Sequence, residues 1–179
     1  MKPTGIVRRI DELGRVVIPK EIRRTMRIRD GEPLEIYVDR EGEVILKKYA
    51  PINDLGQFAK EYTESLHEVL GHVVCVADKD EIIAITGRYK KELLNKSIGG
   101  TITDIINNRE SKVLNQEHSI TEDQFVFSNS VVSPIVANGE SIGAVIITTK
   151  ETAAKMGDLE NKLATTAASF LAKQMESTR

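Results

Sequence analysis

The spacing of apolar residues changes near residue 50, and this change constrains the fold more than any other feature of the sequence. Over residues 1–50, short segments alternate apolar and polar side chains, which is typical of strands. From Leu55 to Leu70 apolar side chains recur at helical spacing instead, and the junction between the two patterns falls at residues 50–53. We therefore expect two domains, residues 1–52 and 53–179.

The first domain is predicted to be all β apart from one short helix. Residues 4–10 and 15–18 are rich in Ile and Val and flank the turn signal Asp11–Gly14, which indicates a β-hairpin. Pro19 suits the start of a short helix, because its missing N–H is harmless in a first turn. Alternating segments predict a second hairpin, with strands at residues 34–38 and 43–48.

The core of this first domain is too small for an isolated monomer. After the initiator methionine, residues 1–50 contain sixteen Ile, Leu, Val or Met residues, spread over four short segments and one helix. Chains much shorter than about 60 residues bury too little of their surface to be stable alone. We expect a second copy to complete the core, in a shared barrel that also covers the open strand edges.

The second domain is predicted to combine an antiparallel sheet with helices. Strands are predicted in two hairpins, at residues 72–77, 82–86, 126–136 and 141–148. The second hairpin turns at Asn138-Gly139, a strong tight-turn signal. Helices are predicted at residues 55–70, 89–95, 102–108 and 153–175. This order indicates an α+β sensor-type fold with a long terminal helix.

Charge is distributed unevenly along the chain. Residues 1–29 hold nine Lys or Arg against three acidic residues, a balance of +6, which leaves −8 for the rest of a chain whose net charge is −2. A basic end on an acidic chain is typical of a polyanion-binding module, and the alternative is a solvated basic face. No aromatic residue precedes Tyr37, so the stacking platforms of single-strand binders are missing and duplex DNA is favoured.

The sequence offers little to an enzyme or a membrane protein. A single cysteine, Cys75, excludes a disulfide within the chain and leaves the cysteine exchange of a sulfoxide reductase without its resolving partner. The three histidines are scattered, without metal-ligand spacing. The apolar stretches fall far short of the roughly 20 residues that a membrane span needs, and a signal peptide's apolar centre is missing. We expect a cytoplasmic protein that is not an enzyme, without a metal, cofactor or membrane partner.

The N-terminal sequence resembles the AbrB type of bacterial transition-state regulator. The resemblance covers residues 1–50 and is carried by Leu-Gly-Arg-Val-Val-Ile-Pro at 13–19, Arg23-Arg24 and the continuation at 31–38 and 45–49. It implies a swapped-hairpin dimeric barrel with one short helix. The two-domain layout is similar to that of sporulation regulators in this family whose second domain is a GAF domain, which implies a transcription regulator of sporulation-stage genes, an activator, a repressor or both.

The resemblance also implies which residues bind DNA. Family members grip duplex DNA, often A/T-rich, with arginines at the positions of Arg8, Arg15, Arg23 and Arg24, and all four are present. Guanidinium suits this role because it is always charged and can fork onto a phosphate or a guanine edge. Eight arginines per dimer on phosphates would give a slope of log affinity against log salt of about −7.

Two alternatives concern the second domain. A pocket between its sheet and its short helices, walled by residues 89–103, Thr86 and Ser133, would bind an effector of unknown identity; alternatively, the domain's own side chains fill that space and it serves only assembly. The apolar stripes of its first and last helices either pack within one chain or join two dimers into a tetramer.

An antitoxin is the alternative function for the whole chain, because the swapped-hairpin fold also occurs in proteins that neutralise toxins. Antitoxins usually carry a disordered tail that wraps the toxin. Residues 53–179 have the apolar content of a folded domain instead.

Overall fold

The computed structural model describes residues 4–48, 56–123 and 125–177. The chain forms two compact units, unit 1 at residues 1–49 and unit 2 at residues 50–179. The predicted junction at 50–53 lies outside the described residues.

Unit 1 contains one short helix and one paired hairpin. These elements are α1 (Lys20–Thr25), β1 (Leu34–Val38) and β2 (Val44–Lys48). Pro19 directly precedes the helix, and its carbonyl accepts the N–H of Arg23 at 3.0 Å. β1 and β2 are antiparallel, with Leu34 opposite Lys48 and Val38 opposite Val44. The predicted helix and second hairpin are confirmed.

The predicted first hairpin forms its turn but not its strands. Gly14 donates its N–H to the carbonyl of Asp11 at 2.9 Å, and Asp11 donates to the carbonyl of Arg15 at 3.1 Å, whereas residues 4–10 and 15–18 have no strand structure. A strand needs a neighbour for its N–H and C=O groups, and within one chain these residues pair only at the turn. The expected strands are therefore wrong for the single chain.

Asp11 holds the turn through its carboxylate. Its Oδ1 accepts the N–H groups of Leu13 at 3.0 Å and Arg15 at 2.8 Å, while its Oδ2 accepts Nε of Arg15 at 2.8 Å. Gly14 adopts a φ of +75°, which favours glycine. The backbone N–H of Arg15, followed by its guanidinium, lowers the pKa of Asp11 below its ordinary value of 3.8. Asp39 makes the same contacts to backbone amides in the β1–β2 turn.

The apolar side chains of unit 1 are exposed. Pro19 is the only buried residue among residues 4–48. Val7 is 88% exposed, Val17 74% and Val38 72%. Nine further large apolar or aromatic side chains of these residues are exposed to between 41% and 74%, namely Ile6, Ile10, Leu13, Val16, Met26, Ile36, Tyr37, Val44 and Leu46. A single copy of unit 1 therefore has no hydrophobic core of its own.

Unit 2 is an α+β domain, as predicted. Its elements in chain order are α2 (Gly56–Leu70), β3 (Val73–Ala77), β4 (Ile82–Thr86), α3 (Lys90–Leu93), α4 (Gly100–Asn108), β5 (Lys112–Leu114), β6 (His118–Ser119), β7 (Val126–Phe127), β8 (Asn129–Ala137), β9 (Glu140–Thr149) and α5 (Asp158–Ser177). Five of the described strands form one antiparallel sheet in the order β4-β3-β9-β8-β5, and β6 pairs with β7. Asn138 and Gly139 both have positive φ, which confirms the tight turn between β8 and β9.

The sheet is buried on both faces. Val74 and Val76 of β3 pack toward α2 and α5, whereas Val73 and Cys75 pack toward α3 and α4. A strand covered on both faces is apolar throughout, which explains the continuous apolar runs in the sequence. Cys75 is fully buried, as predicted, and burial raises the pKa of its thiol. This thiol is therefore kept in its unreactive, protonated form.

The structure differs from the predicted elements at three places. The expected strand at 126–136 is interrupted at Ser128, and the short strands β5 and β6 were not expected. The terminal helix starts at Asp158 instead of residue 153, because side chains hold the preceding segment as a loop. The Nδ2 of Asn115 donates to the carbonyl of Met156 at 2.9 Å, and that of Asn129 donates to the carbonyl of Glu151 at 2.8 Å.

A buried polar network joins β6, β8 and β9. The hydroxyl of Ser130 lies 2.7 Å from Nε2 of His118 and 2.6 Å from the hydroxyl of Thr148. His118 also contacts the carbonyl of Gln116 through Nδ1 at 2.8 Å. Ser130 and Thr148 are fully buried. The hydroxyl of Ser130 depends on these two bonds, whereas that of Thr148 also donates to the carbonyl of Asn129 at 3.2 Å.

Each helix within residues 4–48, 56–123 and 125–177 is too short or too polar to span a lipid bilayer.

We expect acid to loosen the first turn at a pH below the ordinary range for Asp. Because the pKa of folded Asp11 is lowered, its carboxylate stabilises the turn above about pH 4, and this contribution is lost as the pH falls through the lowered value. An acid titration of the amide NMR signals of Leu13 and Arg15 measures it. Asp11→Asn should abolish this transition, and a transition at 3.8 in the unsubstituted protein would contradict the account.

We expect Ser130→Ala to lower the free energy of unfolding by about 1–3 kcal/mol, because it removes two hydrogen bonds, one to Nε2 of His118 and one to the hydroxyl of Thr148. Urea unfolding of the full chain measures this change. Ser128→Ala is the matched control, since its hydroxyl makes a more exposed bond to the carbonyl of Lys150 at 3.0 Å. Equal destabilisation by the two substitutions would show that the buried network contributes no more to the free energy of unfolding than an exposed hydrogen bond does.

Candidate nucleic-acid interface

The four predicted DNA-binding arginines all belong to unit 1. Arg8 lies in the extended segment before the first turn, and Arg15 directly follows Gly14 at its end. Arg23 and Arg24 occupy the last turn of α1. Arg8, Arg15 and Arg24 are exposed, whereas Arg23 is half-buried. Three of the four guanidinium groups are thus directly accessible to a ligand in the single chain.

Arg15 is paired within the chain but remains accessible. Its Nε donates to Oδ2 of Asp11, and its side chain is 71% exposed. This bond uses one of the five N–H donors of guanidinium. Exposed ion pairs contribute only about 0–1 kcal/mol, so a phosphate competes for the remaining donors at little cost. The pair orients the guanidinium at the tip of the turn without blocking it.

Arg23 has a structural partner that the sequence analysis missed. Its Nη1 forms an ion pair with Asp30, while its Nε is buried without a hydrogen-bond partner among the described residues. The chain reverses after α1, where Arg27 has a φ of +53° and the N–H of Ile28 donates to the carbonyl of Arg23 at 2.7 Å. Arg23 therefore ties the end of α1 to the following turn, and DNA binding would have to share it.

Arg24 faces a different direction from Arg23. Successive residues of an α-helix are separated by about 100° around the axis, because a turn holds 3.6 residues. Arg23 lies against the turn at Asp30, and Arg24 is exposed to solvent. Of the two neighbouring arginines, Arg24 is the one that the single chain leaves accessible to phosphate.

An acidic residue of unit 1 is used internally. Glu32 contacts Nζ of Lys48 at 3.3 Å with one carboxylate oxygen and accepts the N–H of Arg29 at 2.7 Å with the other. This carboxylate is therefore bound to groups of its own unit rather than facing an incoming polyanion. Residues 4–48 expose the guanidinium groups of Arg8, Arg15 and Arg24 and many apolar side chains, and they also expose carboxylates such as those of Glu12, Glu21 and Glu43.

Two residues assigned to the wall of the predicted effector pocket, Thr86 and Ser133, lie on the other face of the sheet. The hydroxyl of Thr86 lies 2.8 Å from that of Thr63 in α2, and the hydroxyl of Ser133 lies 3.4 Å from that of Thr165 in α5. Both side chains thus face the α2 and α5 side of the sheet. The space between the sheet and the short helices is filled by buried side chains such as Ile102.

A cavity of unit 2 includes one residue of the predicted wall, Tyr89. It measures about 450 Å³ and is lined by residues from the ends of α2 and β4 and from the segment that follows β9. The described residues contain no group of three or more His, Cys, Asp or Glu side chains that could hold a metal ion. His67 instead contacts the carbonyl of His72 through Nδ1 at 2.6 Å.

Two protein families match different parts of the chain. Residues 54–176 match the family described as stage V sporulation protein T C-terminal, transcription factor. Residues 7–54 match the family described as antidote-toxin recognition MazE, bacterial antitoxin. The first match covers more than half of the chain.

Two relatives from Bacillus subtilis (strain 168) are similar in sequence. Stage V sporulation protein T is 55% identical over 182 residues, which cover 98% of this chain and 99% of the relative. Transition state regulatory protein AbrB is 67% identical over 51 residues, which cover 28% of this chain and 52% of the relative. The second similarity is thus confined to one part of each protein.

The fold of unit 2 matches solved GAF domains. The GAF domain of a phosphoenolpyruvate-protein phosphotransferase from Coxiella burnetii superposes with a TM-score of 0.57 at 21% identity, over 72% of this chain and 88% of that one. This likeness shows the GAF fold alone. Together with the near full-length identity of 55%, the matches show that the chain belongs to the stage V sporulation protein T family of sporulation transcription regulators.

Proposed function

We propose that this regulator acts as an oligomer that binds duplex DNA through the arginines of its N-terminal domain. In this proposal residues 1–52 form the DNA-binding domain, as a swapped-hairpin dimer, and residues 53–179 form the regulatory domain. The protein works in the cytoplasm, and it activates or represses according to where it sits relative to a promoter. The observation that carries the proposal is that unit 1 exposes both arginines and large apolar side chains.

The exposed apolar side chains support dimerisation. Burying an exposed Val or Ile side chain contributes about 1.5–3 kcal/mol. The exposure of Val7, Val17 and Val38 therefore favours association with a second copy. A two-stranded ribbon such as β1–β2 is marginal in water alone. A second copy supplies strand partners for residues 4–10 and 15–18 and covers these side chains in one step.

The charge and the accessible guanidinium groups support DNA as the ligand. Arg8, Arg15 and Arg24 are exposed, and a two-fold dimer would present each of them twice. Phosphate contacts dominate affinity for DNA, and each one releases condensed counterions. The similarity to a transition state regulatory protein covers 51 residues at 67% identity, which agrees with this assignment.

The helices of unit 2 support a further association into a tetramer. Phe58 and Val69 of α2 and Leu159 of α5 are exposed, at 43%, 76% and 60%. Beside them Tyr62 and Phe170 stack with ring centroids 4.8 Å apart. Two copies that cover these side chains would join two DNA-binding dimers, and linked binding heads gain affinity through their high effective concentration.

The antitoxin alternative has one observation in its favour, the match of residues 7–54 to an antitoxin family. Residues 56–123 and 125–177, however, fold as a GAF domain, and the match of residues 54–176 is to a transcription factor family. A folded domain of this size cannot wrap a toxin as a disordered segment does. We therefore favour the regulator, which is not an enzyme.

We expect Arg24→Ala to weaken duplex binding and to reduce the slope of log affinity against log salt by about 2 per dimer, because each lost phosphate contact removes about 0.9. Fluorescence anisotropy over a series of salt concentrations measures both. Arg40→Ala is the charge-matched control, since Arg40 lies in the β1–β2 turn outside the proposed set. Equal effects of the two substitutions would argue against the assigned residues.

We expect light scattering on the full chain to give about 80 kDa, four times the chain mass of 19.9 kDa. Leu159→Glu should reduce this mass by half, because it places a charge in the proposed interface between dimers. Val113→Glu, at an exposed position of β5, is the control. A full-length dimer would rule out the tetramer while leaving the DNA-binding dimer in place.

A further inference from the structure

The cavity of unit 2 lies at one end of the sheet, where β3 begins and β4 and β9 end. Its volume of about 450 Å³ falls in the range of sites that hold a drug-sized molecule. The lining that matters for recognition consists of His67, His72, Arg88, Tyr89, Lys150 and Glu151. The site thus combines cationic groups and imidazoles with an aromatic ring and a single carboxylate.

A glycine allows the wall of the cavity to form. Gly87 has a φ of +106°, in the region that favours glycine, and a Cβ at this position would lie 3.1 Å from the ring of His67 and 3.3 Å from Cα of Val73. The bond between Nδ1 of His67 and the carbonyl of His72 fixes the imidazole beside it. The close approach of β4 to α2 therefore depends on the absence of a side chain here.

The two cations of the cavity have no carboxylate partner. Among the described residues neither Arg88 nor Lys150 forms an ion pair, and Glu151 is the one acidic residue of the lining. The charge of the lining is therefore positive at neutral pH. Cations that line a concave site attract anions more strongly than cations on a flat surface, because the low-dielectric walls focus their field.

Aromatic rings hold the ammonium group of Lys150. Its Nζ lies 3.6 Å from the ring centroid of Phe125, 4.9 Å from that of Tyr89 and 5.6 Å from that of Phe127. The three rings contact one another edge to face. Ring faces attract a cation without supplying a counter-charge, so these rings fix the position of the Lys150 ammonium group.

We propose that this cavity binds a small organic anion, with a phosphate or carboxylate group held by Arg88 and Lys150 and an apolar body against Tyr89 and Val73. Guanidinium and ammonium groups both form charge-assisted hydrogen bonds with such oxygens. Tyr89 and Val73 are the larger aromatic and apolar residues of the lining. The inference rests on the effector-sensing role considered for the regulatory domain and names the chemical class of its ligand.

The test is isothermal titration calorimetry on the full chain with three probes that share one ring. Phenyl phosphate and benzoate carry the two candidate anionic groups, and benzyl alcohol is the neutral control. We expect an anion to bind and benzyl alcohol not to bind, and the tighter anion then identifies the group. If neither anion binds, or if benzyl alcohol binds equally well, the proposal is wrong.

Charge-removing variants locate the site. Arg88→Gln and Lys150→Gln should each weaken binding of the preferred anion about tenfold, because each removes a charge-assisted hydrogen bond. Lys79→Gln is the matched control, since Lys79 is exposed in the turn at the opposite end of the β3–β4 hairpin. Anion binding that the two variants weaken no more than the control does would overturn the assignment.

A second measurement requires no variant. In NMR spectra of the full chain, the preferred anion should shift the amide signals of residues 67–73 and 87–89, and shifts confined to unit 1 would contradict the site. Both readouts are independent of DNA. Loss of DNA binding therefore leaves this proposal standing, and failure of anion binding leaves the DNA-binding proposal standing.

Discussion

The apolar side chains of unit 1 are the constraint on which the rest of the account depends. A single copy leaves Val7, Val17 and Val38 in water, and within residues 4–48 only Pro19 is buried. Unit 2 shows the opposite, because both faces of its sheet are covered by its own helices. The same chain thus contains one domain that is complete alone and another that needs a partner. This difference in burial is the basis for the proposed dimer, which would in turn set the spacing of the arginines proposed to bind DNA.

Two of the four arginines proposed to bind DNA also have structural partners within the chain. Arg15 and Arg23 pair with Asp11 and Asp30 in the free chain, whereas Arg24 is exposed on α1. Pairing keeps a concentrated positive charge from repelling itself before DNA is present, and exposed pairs exchange at little cost. The carboxylate of Asp11 has both functions, since it closes the turn and orients Arg15. In the proposed complex, DNA would therefore contact guanidinium groups whose positions are already fixed by the free chain.

Most turns and helix starts could be predicted from the sequence, because they depend on interactions between residues close together in the chain. The Asn138-Gly139 turn, the helix after Pro19 and the turn at Asp11–Gly14 each depend on residues adjacent in sequence. The strands at 4–10 and 15–18 failed in the single chain because their neighbours are not supplied by it.

Contacts between residues far apart in the chain could not be predicted from the sequence. Thr86 and Ser133 were assigned to the wrong face, because a sheet that is buried on both sides has no polar alternation to mark which residues point where. The pair of Arg23 and Asp30 depends on a chain reversal at a non-glycine residue with positive φ, which no turn signal marked. Arg88 and Lys150 line one cavity because β4 and β9 end at the same end of the sheet, next to the start of β3. These contacts arise from the packing of the whole domain.

Amide hydrogen exchange of residues 5–10 and 15–18 in the full chain, followed over a dilution series, tests the central claim most directly. Pairing with a second copy should protect amides in these segments, although they have no strand partner within their own chain. The account predicts protection at high protein concentration that falls on dilution as dimers dissociate. Exchange at the rate of an unstructured chain at every concentration would contradict it.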